Sequence, residues 1–172
     1  MITNELQERV TGWFAGRLPA EWQSAPAVVT VDREEITVVL TIADVDLEGS
    51  SEAASAEARA GRASAFREET RDQRMEIAQE AQHRFERKVS WGVAVGDRSE
   101  LWTHVSAPTM TRLRQPQRLV LDTLVDAGVA RSRSDALAWS VRLVGEHADT
   151  WLAELREAMA EVDKLRAQGP DL

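Results

Sequence analysis

The sequence predicts an α+β protein, with an α+β domain over residues 1–106 and a smaller, mainly helical module over residues 107–172. Three observations support this prediction. Two pairs of β-branched runs are each separated by a short polar turn, a long proline-free helical pattern lies between the pairs, and the pattern changes after the Ala107-Pro108 break. Because strands joined by tight turns form antiparallel hairpins, we expect an antiparallel sheet packed against helices.

The first domain alternates between helical and extended patterns. Residues 3–17 carry apolar side chains on one helical stripe, which predicts an amphipathic helix that ends before Pro19. The runs 27–32 and 36–42 flank a polar turn and predict a first hairpin. A second hairpin is expected at Gly96-Asp97-Arg98-Ser99, between the runs VSWGVAV and ELWTHVS.

Between the hairpins, residues 50–88 predict one long helix. The segment contains no proline and is dominated by Ala, Glu, Arg and Gln, which are good helix formers. Ile77, Ala81 and Phe85 are four residues apart and predict a narrow buried stripe. The first part, SSEAASAEARAGRAS, is poor in large apolar residues, so we expect it to fray.

Composition limits the possible classes of function. The chain has a net charge of −8, which argues against coating nucleic acid with the whole surface. The 107–147 segment differs, because six Arg against four Asp and Glu give it a net charge of +2. Cysteine is absent, which excludes disulfides and thiolate sites. No apolar stretch reaches the roughly 20 residues of a membrane span, so we expect a cytoplasmic protein without a membrane partner.

The module begins with a short alternating segment, TMTRLR, at residues 109–114. A helix is predicted between Pro116 and Gly128, with proline at its start and glycine just past its end. Ser132 and Asp135 then form a capping signal for a second helix. A third, C-terminal helix carries an apolar stripe expected to pack within the subunit or in a dimer: Trp151, Leu155, Ala158, Val162 and Leu165.

This order of strand, proline-started helix, turn and capped helix resembles the ribbon-helix-helix DNA-binding superfamily, which includes Arc and MetJ-type repressors. The resemblance covers residues 109–146. It implies a homodimer in which two copies of the short strand pair, because a lone strand cannot satisfy its backbone groups. Period-two geometry places Met110, Arg112 and Arg114 on one face, opposite Leu113.

The resemblance also implies roles for individual residues. If Leu113 faces the helices, the opposite face of the ribbon would enter the major groove, where arginine is the preferred partner of guanine. The start of the second helix would hold a phosphate. The implied DNA-binding residues are Met110, Arg112, Arg114, Arg131, Ser132, Arg133 and Ser134.

Three functions remain open on the sequence alone. The first is a homodimeric DNA-binding protein, a transcriptional regulator or nucleoid-associated factor, whose first domain senses a signal or binds a protein partner. The second is a non-enzymatic interaction or structural protein that uses the module only to dimerise, with Arg112 and Arg114 as solvated charges on an edge strand. An antitoxin is a third option, although its expected layout is the reverse of this one.

Enzyme activity is not expected. The sequence contains no nucleophile elbow, phosphate-binding loop or dinucleotide motif, so no cofactor is predicted. His83, His104 and His147 lie on different predicted elements, which disfavours a metal site. The tryptophans fall mainly on apolar stripes and are explained by core packing.

Overall fold

The computed structural model describes residues 4–45, 47 and 49–168, except for the side chains of residues 4, 163, 165 and 167. It divides into two compact units, residues 1–107 and 108–172. The elements of the first unit are α1 (Asn4–Arg17), a 3-10 turn (Ala20–Trp22), β1 (Ala25–Val31), β2 (Glu35–Ile42), α2 (Glu52–Glu69), α3 (Arg71–Phe85), β3 (Lys88–Val95) and β4 (Arg98–Leu101). Those of the second unit are α4 (Gln115–Asp126), α5 (Arg133–His147) and α6 (Asp149–Gln168).

The first unit contains a four-stranded sheet in the order β1-β2-β3-β4. Both predicted hairpins are confirmed, since β1 pairs antiparallel with β2 and β3 with β4. The expectation of a wholly antiparallel sheet is wrong, because β2 and β3 run parallel, with Glu35 opposite Lys88 and Ile42 opposite Val95. The two helices between these strands form the crossover that a parallel pair requires.

The single long helix predicted for residues 50–88 is also wrong. Thr70 separates α2 from α3, and its hydroxyl donates to the Phe66 carbonyl at 2.6 Å. The expected fraying of the first part is not seen: it is helical, because Ser51 caps it and Ala63 is buried against the strand ends. Arg59 adds ion pairs to Asp44 and Asp97. These tertiary contacts compensate for the small apolar content of the segment.

The core of the first unit lies between one face of the sheet and the helices. Alternate residues of β2 are buried, as period-two geometry requires. They meet the stripe predicted on α3 and the apolar side of α1. The main cluster consists of Val10, Phe14, Leu18, Trp22, Val31, Ile36, Val38, Leu40, Ile77, Ala81, Phe85 and Trp91.

The second unit has a very small core of its own. Leu121, Ala130 and Ala136 are buried, and a few half-buried apolar side chains pack around them. The strand predicted at residues 109–114 is not formed in the single chain, where this segment is neither helix nor strand. Within the described part of the chain, no helix has the length and apolar character needed to cross a membrane.

Intramolecular packing of the predicted α6 stripe is not observed at the described positions. Trp151 remains 58% exposed, Leu155 42% and Val162 39%. The side chain of Leu165 lies outside the described residues. Several further apolar side chains of this unit are also exposed: Leu119, Val120, Val129, Val141, Leu143, Val144 and Met159.

Candidate nucleic-acid interface

In the segment before α4, Leu113 and its neighbours differ in exposure. Leu113 is half buried and packs against the cluster around Leu121. Arg112 and Arg114, on either side of it, are exposed, and Met110 is 96% exposed. Leu113 is therefore the one inward-facing residue of this segment, and the predicted alternation is incomplete, because Thr109 and Thr111 on its expected face are exposed.

The entry into α4 fixes the position of Leu113. The Arg114 backbone N–H donates to the Gln117 side-chain oxygen at 2.8 Å, which satisfies one backbone donor at the helix start. Arg118 reaches back to donate from Nη1 to the Leu113 carbonyl at 2.7 Å. Pro116 lies in the first turn, where its missing N–H has no cost.

The start of α5 is a capped helix terminus, as predicted. The Ser132 hydroxyl accepts from the Asp135 backbone N–H at 3.2 Å, and the Asp135 carboxylate accepts from the Arg131 backbone N–H at 3.0 Å. Among the described residues, the backbone N–H groups of Arg133 and Ser134 have no acceptor. These two donors, at the positive end of the helix dipole, can hold an anion.

The guanidinium groups at this terminus are neutralised within the module. Arg133 makes two bonds to the Asp122 carboxylate of α4, at 2.5 and 2.8 Å. Its guanidinium lowers the pKa of Asp122, and Asp122 in turn raises the pKa of Arg133. Arg131 lies 3.6 Å from Asp135, whose pKa is lowered mainly by the bond from the Arg131 backbone. Arg112 and Arg114 make no ion pair with any described residue.

A shallow groove of about 300 Å³ joins the segment before α4 to the start of α5. Met110 lines one side, and Arg133 and Ser134 line the other. The fold thus brings together residues that are more than twenty positions apart in the sequence. Arg112, Arg114, Arg131 and Ser132 do not line this groove.

The sequence did not reveal the acidic partner of Arg133. Asp122 is eleven positions from Arg133, and no local motif links them. The helical period offered a partial signal, because Asp122 lies one residue after the buried Leu121 and so borders the α4–α5 contact. Arg118 was likewise missed, although it lies four residues after the carbonyl of Arg114, which accepts its backbone N–H.

The chain leading out of the first unit is held against the sheet at defined points. The Glu35 carboxylate accepts from the Ser90 hydroxyl at 2.6 Å and from the Val105 backbone N–H at 2.9 Å. The Thr103 hydroxyl accepts from the Trp91 backbone N–H at 2.9 Å. The first unit is therefore ordered up to the residues that immediately precede the module.

The chain matches two family models, one for each unit. The first, described as "Rv1265-like protein, N-terminal domain", covers residues 8–101, and the second, described as "Mb1296 C-terminal domain", covers residues 114–166. Over 160 residues the chain is 63% identical to uncharacterized protein Mb1296 of Mycobacterium bovis and to uncharacterized protein Rv1265 of Mycobacterium tuberculosis, covering 93% of this chain and 70% of each relative. No solved structure matches it. The chain belongs to the Rv1265-like protein family.

Proposed function

We propose that this chain is a homodimeric DNA-binding protein, a transcriptional regulator or nucleoid-associated factor. In this proposal, residues 109–114 of two copies pair antiparallel, as the resemblance to ribbon-helix-helix proteins implies. The resulting ribbon enters the major groove, which is wide enough for two strands. Met110, Arg112 and Arg114 face the bases, and the start of each α5 contacts the DNA backbone.

The observation that carries the proposal is the opposite orientation of Leu113 and its two neighbours. Leu113 packs inward, whereas the guanidinium groups of Arg112 and Arg114 are exposed and unpaired among the described residues. Unpaired arginines on an exposed ribbon can bond guanine in a bidentate manner.

Packing in the second unit supports the dimer. A unit of this size needs a larger apolar core to fold, yet its described part buries only three hydrophobic residues in one subunit. Val120 on α4 and Val141 on α5 are more than half exposed. A second copy would cover such residues on α4 and α5 and supply the missing core.

Charge supports contact through one face. The 107–147 segment is net positive, whereas residues 1–106 carry 12 basic and 19 acidic residues, a net of −7. Arg131 and Arg133 are paired within the module. The groups that contact the phosphate at α5 are therefore the backbone N–H groups of Arg133 and Ser134 and the Ser134 hydroxyl. The acidic remainder repels DNA and restricts binding to the ribbon side.

The test compares two double variants of the full chain. Binding to mixed-sequence duplex DNA is titrated by fluorescence anisotropy at several salt concentrations. For the wild type we expect a slope of log K against log salt of about −4 to −7. Arg112→Ala/Arg114→Ala should bind at least about tenfold more weakly. The control Arg33→Ala/Arg156→Ala removes the same charge from exposed positions outside the ribbon and should bind like the wild type.

The second candidate function, dimerisation without DNA binding, predicts a different outcome. The exposed apolar side chains of α4 and α5 would then serve assembly alone, and the first unit would bind a protein partner. In that case light scattering would show a dimer, and both double variants would match the wild type in every titration. Equal binding by the two double variants would overturn the DNA-binding proposal.

A further inference from the structure

Helix α6 carries an apolar stripe that no described part of its own chain covers. Trp151, Leu155, Met159 and Val162 are each between 37% and 58% exposed, and they follow one another at helical spacing over three turns. Residues on the opposite side, such as Ala153, are small or charged. A stripe of this size on one side of a twenty-residue helix indicates an interface.

We infer that α6 pairs in parallel with α6 of a second copy, forming a short two-stranded coiled coil. Trp151, Leu155, Ala158 and Val162 are separated by four, three and four residues, which is the seam spacing of a heptad repeat. In a parallel pair each of these residues meets its own counterpart. Leu155 and Val162 then form two apolar layers, with the small Ala158 between them.

Charge on the flanks of the seam selects the parallel orientation. Residues five positions apart meet across a parallel pair, so Glu161, which already accepts from Lys164 of its own chain at 2.6 Å, would also lie beside Arg166 of the second copy. An antiparallel pair that aligns Leu155 with Ala158 would instead bring Glu154 next to Glu161 of the second copy. Like charges at such positions are destabilising, and opposite charges are stabilising by a similar amount.

The α6 pair depends on the proposed ribbon dimer for its stability. A seam of little more than two heptads is short for an independent coiled coil. Paired ribbons, however, would hold the two α6 helices at a high effective concentration. A parallel pair has a two-fold axis, as the proposed ribbon does, so symmetry allows both contacts in one dimer.

Disulfide cross-linking tests this arrangement, because the chain has no cysteine of its own. Single variants Leu155→Cys and Val162→Cys are made in the full chain, with Ala153→Cys as the control on the opposite side. All three positions are exposed, so circular dichroism should match the wild type. Under mild oxidation we expect covalent dimers from the first two variants and not from the control, since a disulfide needs Cα atoms within about 7 Å.

Each other outcome contradicts the inference. A cross-link at only one of positions 155 and 162 indicates an antiparallel pair, and none at either position excludes the parallel pair. Equal yields at all three positions indicate random collision. Light scattering on the reduced variants separates the two proposals: a dimer without cross-links leaves the ribbon dimer intact and rejects the α6 pair. If the α6 cross-links form but Arg112→Ala/Arg114→Ala binds DNA like the wild type, only the DNA-binding proposal is rejected and the α6 pair stands.

Discussion

The guanidinium of Arg74 lies 4.6 Å from the ring centroid of Trp102, the residue that directly follows β4. Arg74 is buried and makes no ion pair with any described residue. Its Nε donates to the Thr70 hydroxyl at 2.9 Å, and its Nη2 donates to the Arg67 carbonyl at 2.7 Å. One side chain thus links the α2–α3 break to the end of the sheet.

Arg74 acts in the first unit more through its packing than through its charge. Burial, reinforced by the nearby Arg67 and Arg71, lowers its pKa to about 10, so burying the charge has a cost although the group stays charged at neutral pH. We expect Arg74→Ala to lower the free energy of unfolding by about 2–4 kcal/mol, because it leaves a cavity beside Trp102. Urea unfolding followed by tryptophan fluorescence measures the change.

Arg74→Met is the matched variant, since it retains most of the side-chain volume and removes the charge. We expect it to lie within about 1 kcal/mol of the wild type, because replacing a buried charge by an apolar side chain of similar size is often neutral. Equal destabilisation by Met and Ala would show instead that the hydrogen bonds to Thr70 and Arg67 dominate.

Glu35 holds the chain that leads to the module. Replacing it with alanine removes the acceptor of both Ser90 and the Val105 backbone N–H. A hydrogen bond to a charged group is worth about 1.5–3 kcal/mol, so we expect hydrogen exchange at Val105 to accelerate at least about tenfold in Glu35→Ala. Exchange measured by mass spectrometry on the peptide that contains Val105 reports this change.

The neighbouring Glu34 provides the control, because it is exposed and its side chain has no partner among the described residues. Glu34→Ala should leave exchange at Val105 unchanged. Similar exchange in the wild type and in both variants would show that other contacts, such as that of Thr103 with Trp91, hold the segment.

Local signals in the sequence predicted most helices and strands, but they did not predict how distant strands pair. Pro116, Gly128 and Ser132 act through their own backbone geometry, so the ends of α4 and the start of α5 could be predicted to within a few residues. The parallel pairing of β2 with β3 depends on how a crossover returns to the sheet. The 33 helical residues of α2 and α3 between two strands were the available signal for that crossover.

The candidate site shows the same division. The inward position of Leu113 was predicted from period-two geometry, yet the segment is not a strand in the single chain and Thr109 and Thr111 are exposed. The neutralisation of Arg133 by Asp122 could not be read from spacing, because it depends on how α4 and α5 face each other. The exposure of the α6 stripe likewise reflects tertiary packing that its helical period does not specify.

Leu113 should be essential for the proposed dimer whether or not the module binds DNA. Leu113→Lys places a charge against the small α4–α5 cluster, and a charge buried there without a partner is strongly unfavourable. We expect the variant to be monomeric at concentrations where the wild type is a dimer. Met110→Lys is the control, because Met110 is almost fully exposed and should tolerate the change. Analytical ultracentrifugation of both variants decides the point, and a dimeric Leu113→Lys would contradict the ribbon arrangement.

The ion pair between Asp122 and Arg133 should link the stability of the module to pH. The bond from Arg133 lowers the pKa of Asp122 below its ordinary 3.8, so the pair stabilises the fold above that value. This contribution is lost as the pH falls through the lowered pKa. Asp122→Asn should therefore have a lower Tm than the wild type at pH 7, and the difference should vanish in strong acid. Thermal unfolding by circular dichroism at several pH values measures it.

The same substitution should have the opposite effect on DNA binding. Asp122→Asn releases the Arg133 guanidinium beside the start of α5, where the proposed phosphate lies. We expect tighter binding and a salt slope that is steeper by about 1–2, since each dimer gains up to two phosphate contacts. Asp126→Asn removes the same charge from an exposed site of α4 that has no ion pair among the described residues, so it should change the slope little. If both variants raise the affinity equally, overall charge is responsible, and the start of α5 does not contact the phosphate.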